Sequence, residues 1–153
     1  ARRLIRFASE DIGIADPQAL TQVVAAYQAC HFIGMPECTL NLTQAVVYMA
    51  MAPKSNSIYR AYEEAKKDAG TMMAEPVPLQ IRNAPTRLMA DLHYGEGYVY
   101  AHETKDKIAA MDCLPASLKG REYYRPGTSG AEAPVRERLE EIRKWRREHP
   151  ALP

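Results

Sequence analysis

The stretch DPQALTQVVAAYQACHFIGMPECTLNLTQAVVYMAMAP, residues 16–53, decides the fold class. Asp16 followed by Pro17 is an N-cap and first-turn signal, and Leu20, Val23, Val24, Tyr27 and Cys30 then recur at helical spacing on one face. Gly34 is the stop signal. A second helix is expected to start around Pro36 and Glu37, to carry Leu42, Ala45, Val46, Met49 and Ala50, and to end at Pro53.

The same punctuation extends in both directions. Upstream, Leu4, Ile5, Ala8 and Ile12 mark a helix that stops at Gly13. Downstream, Ser55 or Asn56 caps a helix whose apolar positions are Ile58, Tyr62, Ala65 and Ala69, up to Gly70. Four helices joined by short turns imply antiparallel neighbours, so the expected fold is all-α, a helical bundle or collar of four to six helices. After Gly70 the pattern changes. Pro76, Pro78 and Pro85 leave room for one short helix, Thr86 to Leu92, and two glycines make Tyr94 to His102 an ordered loop or short hairpin. Met111 to Gly130 reads as irregular chain. From Glu132 to about Glu148, Val135, Leu139, Ile142 and Trp145 form a narrow apolar seam in a charged helix, the pattern of an element docking by one stripe. The expected organisation is one domain over 1–153: helical core 1–70, short helix and ordered loops 71–130, C-terminal helix 132–148.

Composition sets outer limits. The 153 residues are 46% hydrophobic and 25% charged, with 20 Lys+Arg against 19 Asp+Glu, so one ordinary core is available and no net charge draws the chain to nucleic acid or anionic lipid. Cys30, Cys38 and Cys113 are odd in number and contain no C-x-x-C, poor material for a disulfide framework or a zinc site, and a reduced, cytoplasmic setting is expected. No apolar run is long enough for a membrane span.

Catalytic signals are missing. There is no G-x-x-x-x-G-K-[ST]; Pro53-Lys54-Ser55 lacks both glycines and follows a helix, so a turn with a capping serine is expected there. Gly95 and Gly97 have no third glycine and read as positions needing positive φ. His31, His93, His102 and His149 are scattered, without metal-binding spacing. The tyrosine loops, Tyr94, Tyr98 and Tyr100 and then Tyr123, Tyr124 and Arg125, either pin loops by ring burial and hydroxyl hydrogen bonds or stack bases. Arg2, Arg3 and Arg6 are the candidate phosphate contacts. The basic residues Arg143, Lys144, Arg146 and Arg147 are interleaved with Glu140, Glu141 and Glu148 and look like a solvated helix face.

Taken together, RRLIRFASEDIGIADPQAL (2–20), AMAPKSNSIYRAY (50–62), VPLQIRNAPTRLM (77–89), the Tyr94–His102 loop and EYYRP (122–126) resemble the C-terminal region of the RarA/MgsA family. These are replication-associated recombination proteins, bacterial AAA+ ATPases related to Werner helicase-interacting protein and to clamp loaders. The resemblance implies a helical oligomerisation domain cut from a longer chain, as the start at Ala1 also suggests, forming a homo-tetramer. ATP and magnesium would belong to an ATPase module outside this chain, with no catalytic, cofactor or metal residue here. It further implies a parent associated with DNA, stalled forks, the single-stranded DNA-binding protein and the nucleoid. Phe7, Ile14, Phe32, Ile33, Met35, Val47, Tyr48, Met51 and Tyr59 lie off the main helical faces; some complete the core and the rest form an exposed patch. Met51 and Tyr59 are the expected interface anchors. The rival reading is a DNA- or partner-binding module built on Arg2, Arg3, Arg6 and the tyrosine loops.

Overall fold

A computed structural model describes residues 1–71 and 75–150; the part of the expected 71–130 segment at 72–74 lies outside them. Its packing forms two units, residues 1–68 with 122–138, and residues 69–121 with 139–153. Among the described residues every regular element is helical. Helix α1, Arg2–Phe7, runs into a wider π turn at Ala8–Ile12, and α2 spans Gln18–Ile33. Helices α3, Thr39–Met51, and α4, Ser57–Thr71, follow, then the short α5, Arg87–Asp91, and α6, Glu132–Glu148.

In the first unit, Asp16 starts α2 by accepting from the Gln18 N–H at 3.0 Å with one carboxylate oxygen. Its other oxygen accepts from the Tyr48 hydroxyl of α3 at 2.8 Å, so one side chain caps a helix and ties it to its neighbour. The core is built of small side chains: Ala8, Ala19, Ala26, Ala45 and Ala52 around Ile12, Val23 and Met49. Small residues on the facing sides permit close approach of α2 and α3. Helix α3 begins at Thr39 rather than at Pro36, because residues 35–38 form a turn in which the Cys38 N–H bonds back to the Gly34 carbonyl at 3.0 Å. At the other end of α3, Lys54 donates to the carbonyls of Met49, at 2.8 Å, and of Ala52, placing a cation on the helix C-terminus. Ser55 Oγ accepts from the Ser57 N–H at 3.3 Å and starts α4.

The second unit has no buried residue among those described, and is ordered by local bonds. Thr86 caps α5 by accepting from the Met89 N–H at 3.3 Å. Gly95 and Gly97 have φ of 75° and 78°, as a tyrosine-rich loop without strands requires. The Arg82 guanidinium sits 4.9 Å from the Tyr94 ring centre. On the later turns of α6, Trp145 donates to Asp106 at 3.0 Å and stacks on His149 at 4.4 Å.

Candidate functional site

The surface of the α2–α3 hairpin is unusual in its chemistry. Between Gln18 and Met51 the single Asp, Glu, Lys or Arg is Glu37. On α3 the buried positions Ala45 and Met49 continue a stripe from Cys38 to Ala52, and a second stripe, Leu40, Val47 and Met51, repeats the same spacings of seven and four on another face. Leu40 is 78% exposed, Val47 58% and Met51 82%. Leu40, Val47 and Met51 of this helix are therefore outside, while Ala45 and Met49 are inside. Phe32, 87% exposed at the end of α2, together with exposed Ile33 and Met35, extends the apolar surface over the hairpin tip. Between the helices lies a notch of about 150 Å³ lined by Gln22, Asn41, Gln44 and Tyr48 with three alanines. Its polar groups are carboxamides and one phenol, which hydrogen-bond but carry no acid-base or nucleophilic chemistry at neutral pH.

Both expected anchors are accessible: Met51 belongs to the exposed α3 stripe, and Tyr59, 39% exposed, lies on α4. Arg2 and Arg3 are exposed on α1, whereas Arg6 donates to Glu10 at 2.6 and 3.4 Å, so one of the three phosphate candidates is held by a carboxylate one turn on. A side-chain hydrogen bond from Arg6, offset by desolvation, keeps the Glu10 carboxyl below its usual range. The tyrosines divide. Tyr123 donates to Asp68 and Tyr124 to Glu132, each at 3.1 Å, while Tyr98 and Tyr100 remain exposed.

The best-built polar site is one that sequence reading did not find. Glu132, fully buried at the start of α6, accepts from the Ser57 hydroxyl, from the Tyr124 hydroxyl at 3.1 Å and from the Gly127 N–H at 2.9 Å. Burial pushes its carboxyl up, but hydrogen bonds from Ser55, Ser57, Gly127 and Tyr124 outweigh that and hold it below the ordinary Glu range. Burial and the same carboxylate push the Tyr124 hydroxyl up to about 12. Nothing in the sequence distinguishes Glu132 from a routine acidic residue in a first helical turn. Every donor in the node comes from the chain itself, so it binds segments 52–57 and 122–132 together and leaves no valence for a substrate.

In the Pro53-Lys54-Ser55 turn, Lys54 donates to helix carbonyls and Ser55 hydrogen-bonds the Glu132 carboxylate. Among the described residues no three His, Cys, Asp or Glu converge on a metal position, and no helix is long and apolar enough to cross a membrane.

Among the described residues the fold is all-helical, with an uncharged, apolar face on the α2–α3 hairpin and a self-satisfied polar node at Glu132. The family model of the MgsA AAA+ ATPase C terminal matches residues 1–143, and the chain belongs to that family. Replication-associated recombination protein A of Coxiella burnetii is 48% identical over 150 residues, 97% of this chain and 34% of that protein. The Haemophilus influenzae protein of the same name is 41% identical over 145 residues, 94% of this chain and 32% of its own length. The ATPase WRNIP1 of Dictyostelium discoideum is 44% identical over 124 residues, 80% of this chain and 14% of that protein. The chain thus spans about a third of the length of the bacterial relatives.

Proposed function

We propose that the chain is the oligomerisation collar of a RarA/MgsA-type AAA+ ATPase, assembling it into a homo-tetramer in DNA replication, recombination and repair. The single observation that supports this is the uncharged, apolar face of the α2–α3 hairpin. Charged residues are depleted at the cores of protein interfaces, and Met is enriched there, which matches a face carrying Leu40, Val47 and Met51. Burying such side chains contributes about 1.5–3 kcal/mol each. The fitting partner is a second copy, because a face without charge offers nothing to steer or pair DNA phosphate.

The logic of the machine agrees. Phosphoryl-transfer sites of this kind are completed by an arginine supplied in cis or from a neighbouring chain. Joining modules through a separate domain raises the neighbour's effective concentration to about millimolar without touching the reacting groups. On this reading the fragment performs no catalysis; ATP and magnesium are held by the ATPase module, and DNA and the single-stranded DNA-binding protein are partners of the parent. Sedimentation of the 153-residue chain at tens of micromolar, without DNA, tests the proposal: a mass near four times 17.2 kDa is expected, and a clean 17.2 kDa monomer overturns it.

A further inference from the structure

We infer that the sulfurs of Cys30, Met35 and Cys38 form a binding site for a soft monovalent metal cation, with copper(I) as the probe, at the turn between α2 and α3. The backbone brings them together. Cys30 lies in the last turn of α2, and its carbonyl accepts from the Gly34 N–H at 3.1 Å. Gly34, at φ 80°, reverses the chain, and its own carbonyl accepts from the Cys38 N–H at 3.0 Å. Those two bonds fold the chain back toward the last turn of α2, and burial together with the neighbouring Cys30 thiol pushes the Cys38 thiol up. The Cys38 thiol also donates to the Met35 thioether, with the sulfurs 3.4 Å apart. On the far side of the turn the Thr39 hydroxyl donates to the Pro36 carbonyl at 2.8 Å and fixes the loop.

Two thiols and a thioether within one turn are a soft donor set, which selects copper(I) over the hard and borderline divalent ions. Zinc calls for four nitrogen, oxygen or sulfur ligands, and among the described residues no third His, Cys, Asp or Glu joins these two cysteines. His31, the nearest imidazole in sequence, is turned edge-on against Tyr27 with ring centres 4.6 Å apart. The donors are graded from inside to outside: Cys38 buried, Cys30 half-buried and Met35 72% exposed. That gradation supplies the entry path a metal site needs, over the Met35 thioether. On binding, each thiol gives its proton to solvent and the metal keeps its oxidation state.

Copper(I) titration under anaerobic conditions, in competition with a chromophoric copper(I) chelator, tests this on the chain carrying Cys113→Ser, which removes the exposed thiol away from the turn. One equivalent is expected to bind, with a thiolate-to-copper charge-transfer band in the ultraviolet. Cys30→Ser and Cys38→Ala should each abolish both signals. Met35→Leu, at an exposed position where folding is not at risk, should weaken binding at least as much as loss of an outer-shell partner does, roughly 10–100-fold. Affinity unchanged by Met35→Leu overturns the site, as does stoichiometric binding that survives loss of both Cys30 and Cys38, or recovery of those two cysteines as a disulfide with no metal retained. Circular dichroism of each variant separates these outcomes from unfolding. If Cys38→Ala unfolds, Met35→Leu and Cys30→Ser decide.

Discussion

Two places in the first unit invert the ordinary rule of burial, and they do so in opposite senses. At the start of α6 a carboxylate, Glu132, is fully buried; on the outer stripe of α3, Leu40, Val47 and Met51 face outward. The buried charge is acceptable because every neighbour is a donor: Ser57, Tyr124 and the Gly127 N–H converge on it. The exposed apolar stripe has no such internal compensation, since its neighbours on α2 and α3 carry almost no charge. One inversion is closed within the chain, and the other is left open to a partner. Perturbing each should therefore give different results, fold loss at the first and assembly loss at the second.

The largest effect should come from emptying the node. Glu132→Ala leaves the Ser57 and Tyr124 hydroxyls and the Gly127 N–H without their acceptor, and each unsatisfied buried donor costs about 1–3 kcal/mol, so chemical denaturation should show a loss of about 3 kcal/mol or more. The pH dependence sharpens the test. A carboxyl held below its unfolded range stabilises the fold fully above the unfolded pKa, near 4.5, and that stabilisation disappears as pH falls through the lower folded value. The difference in stability between wild type and Glu132→Gln should accordingly be constant at neutral pH and shrink on acidification below about 4.5. A difference that grew in that window would show that the carboxylate is not the stabilising form.

Next in size is Gly130→Ala, which attacks the docking of the same segment. Gly130 has φ +54°, and an added Cβ would stand 2.1 Å from the Ala15 carbonyl oxygen and 2.6 Å from Pro53. That carbonyl already accepts from the Ala131 N–H at 2.8 Å, so the chain cannot simply withdraw. Overpacking of this kind costs about 1–3 kcal/mol, to be read as a lower melting temperature, whereas Gly70→Ala, where a Cβ meets nothing, should leave it unchanged or higher. Smaller still is Leu139→Ala with Trp145→Ala. Both side chains are half-buried, and Trp145 holds Asp106 by one hydrogen bond, so a combined loss of about 2 kcal/mol is expected, below the range for fully buried sites. An unchanged melting curve would mean that the later turns of α6 pack on nothing.

Much of this was legible in the sequence, and the failures have physical causes. The helices of 2–71 announced themselves because Gly13, Asp16-Pro17, Gly34 and Pro53 interrupt apolar spacing at their ends, and Pro76, Pro78 and Pro85 left room for the short α5 alone in the segment after them. The seam of α6 stood out against its charges. On α2 and α3, by contrast, apolar residues surround the helix, so spacing placed Val47 and Met51 off the main face but did not separate Ala45 and Met49, which are buried, from Val46 and Ala50 of the same expected stripe, which are not. Glu132 was hidden for the opposite reason, as one acid in a helix full of charges. The thiol pair escaped notice because cysteine spacing was weighed without Met35, although the turn at Gly34 supplies the convergence.

The smallest expected change in stability accompanies the test of the open inversion. Val47→Glu and Met51→Glu place a charge on a stripe that already faces water, so in the isolated chain each should alter stability within about ±0.5 kcal/mol, the range of ordinary surface substitutions. Assembly is another matter. A carboxylate in the core of an interface loses its hydration with no donor waiting, a cost of several kcal/mol per site, and in a symmetric assembly every copy carries it. Sedimentation should then give monomers with the helical circular dichroism retained. Tyr59→Glu on α4 extends the comparison: its ring is only 39% exposed, so loss of assembly there together with the α3 variants would widen the contact to α4. Assembly that survived all three charges would remove the α3 stripe from the interface and leave its exposed hydrophobes without a partner of the same kind.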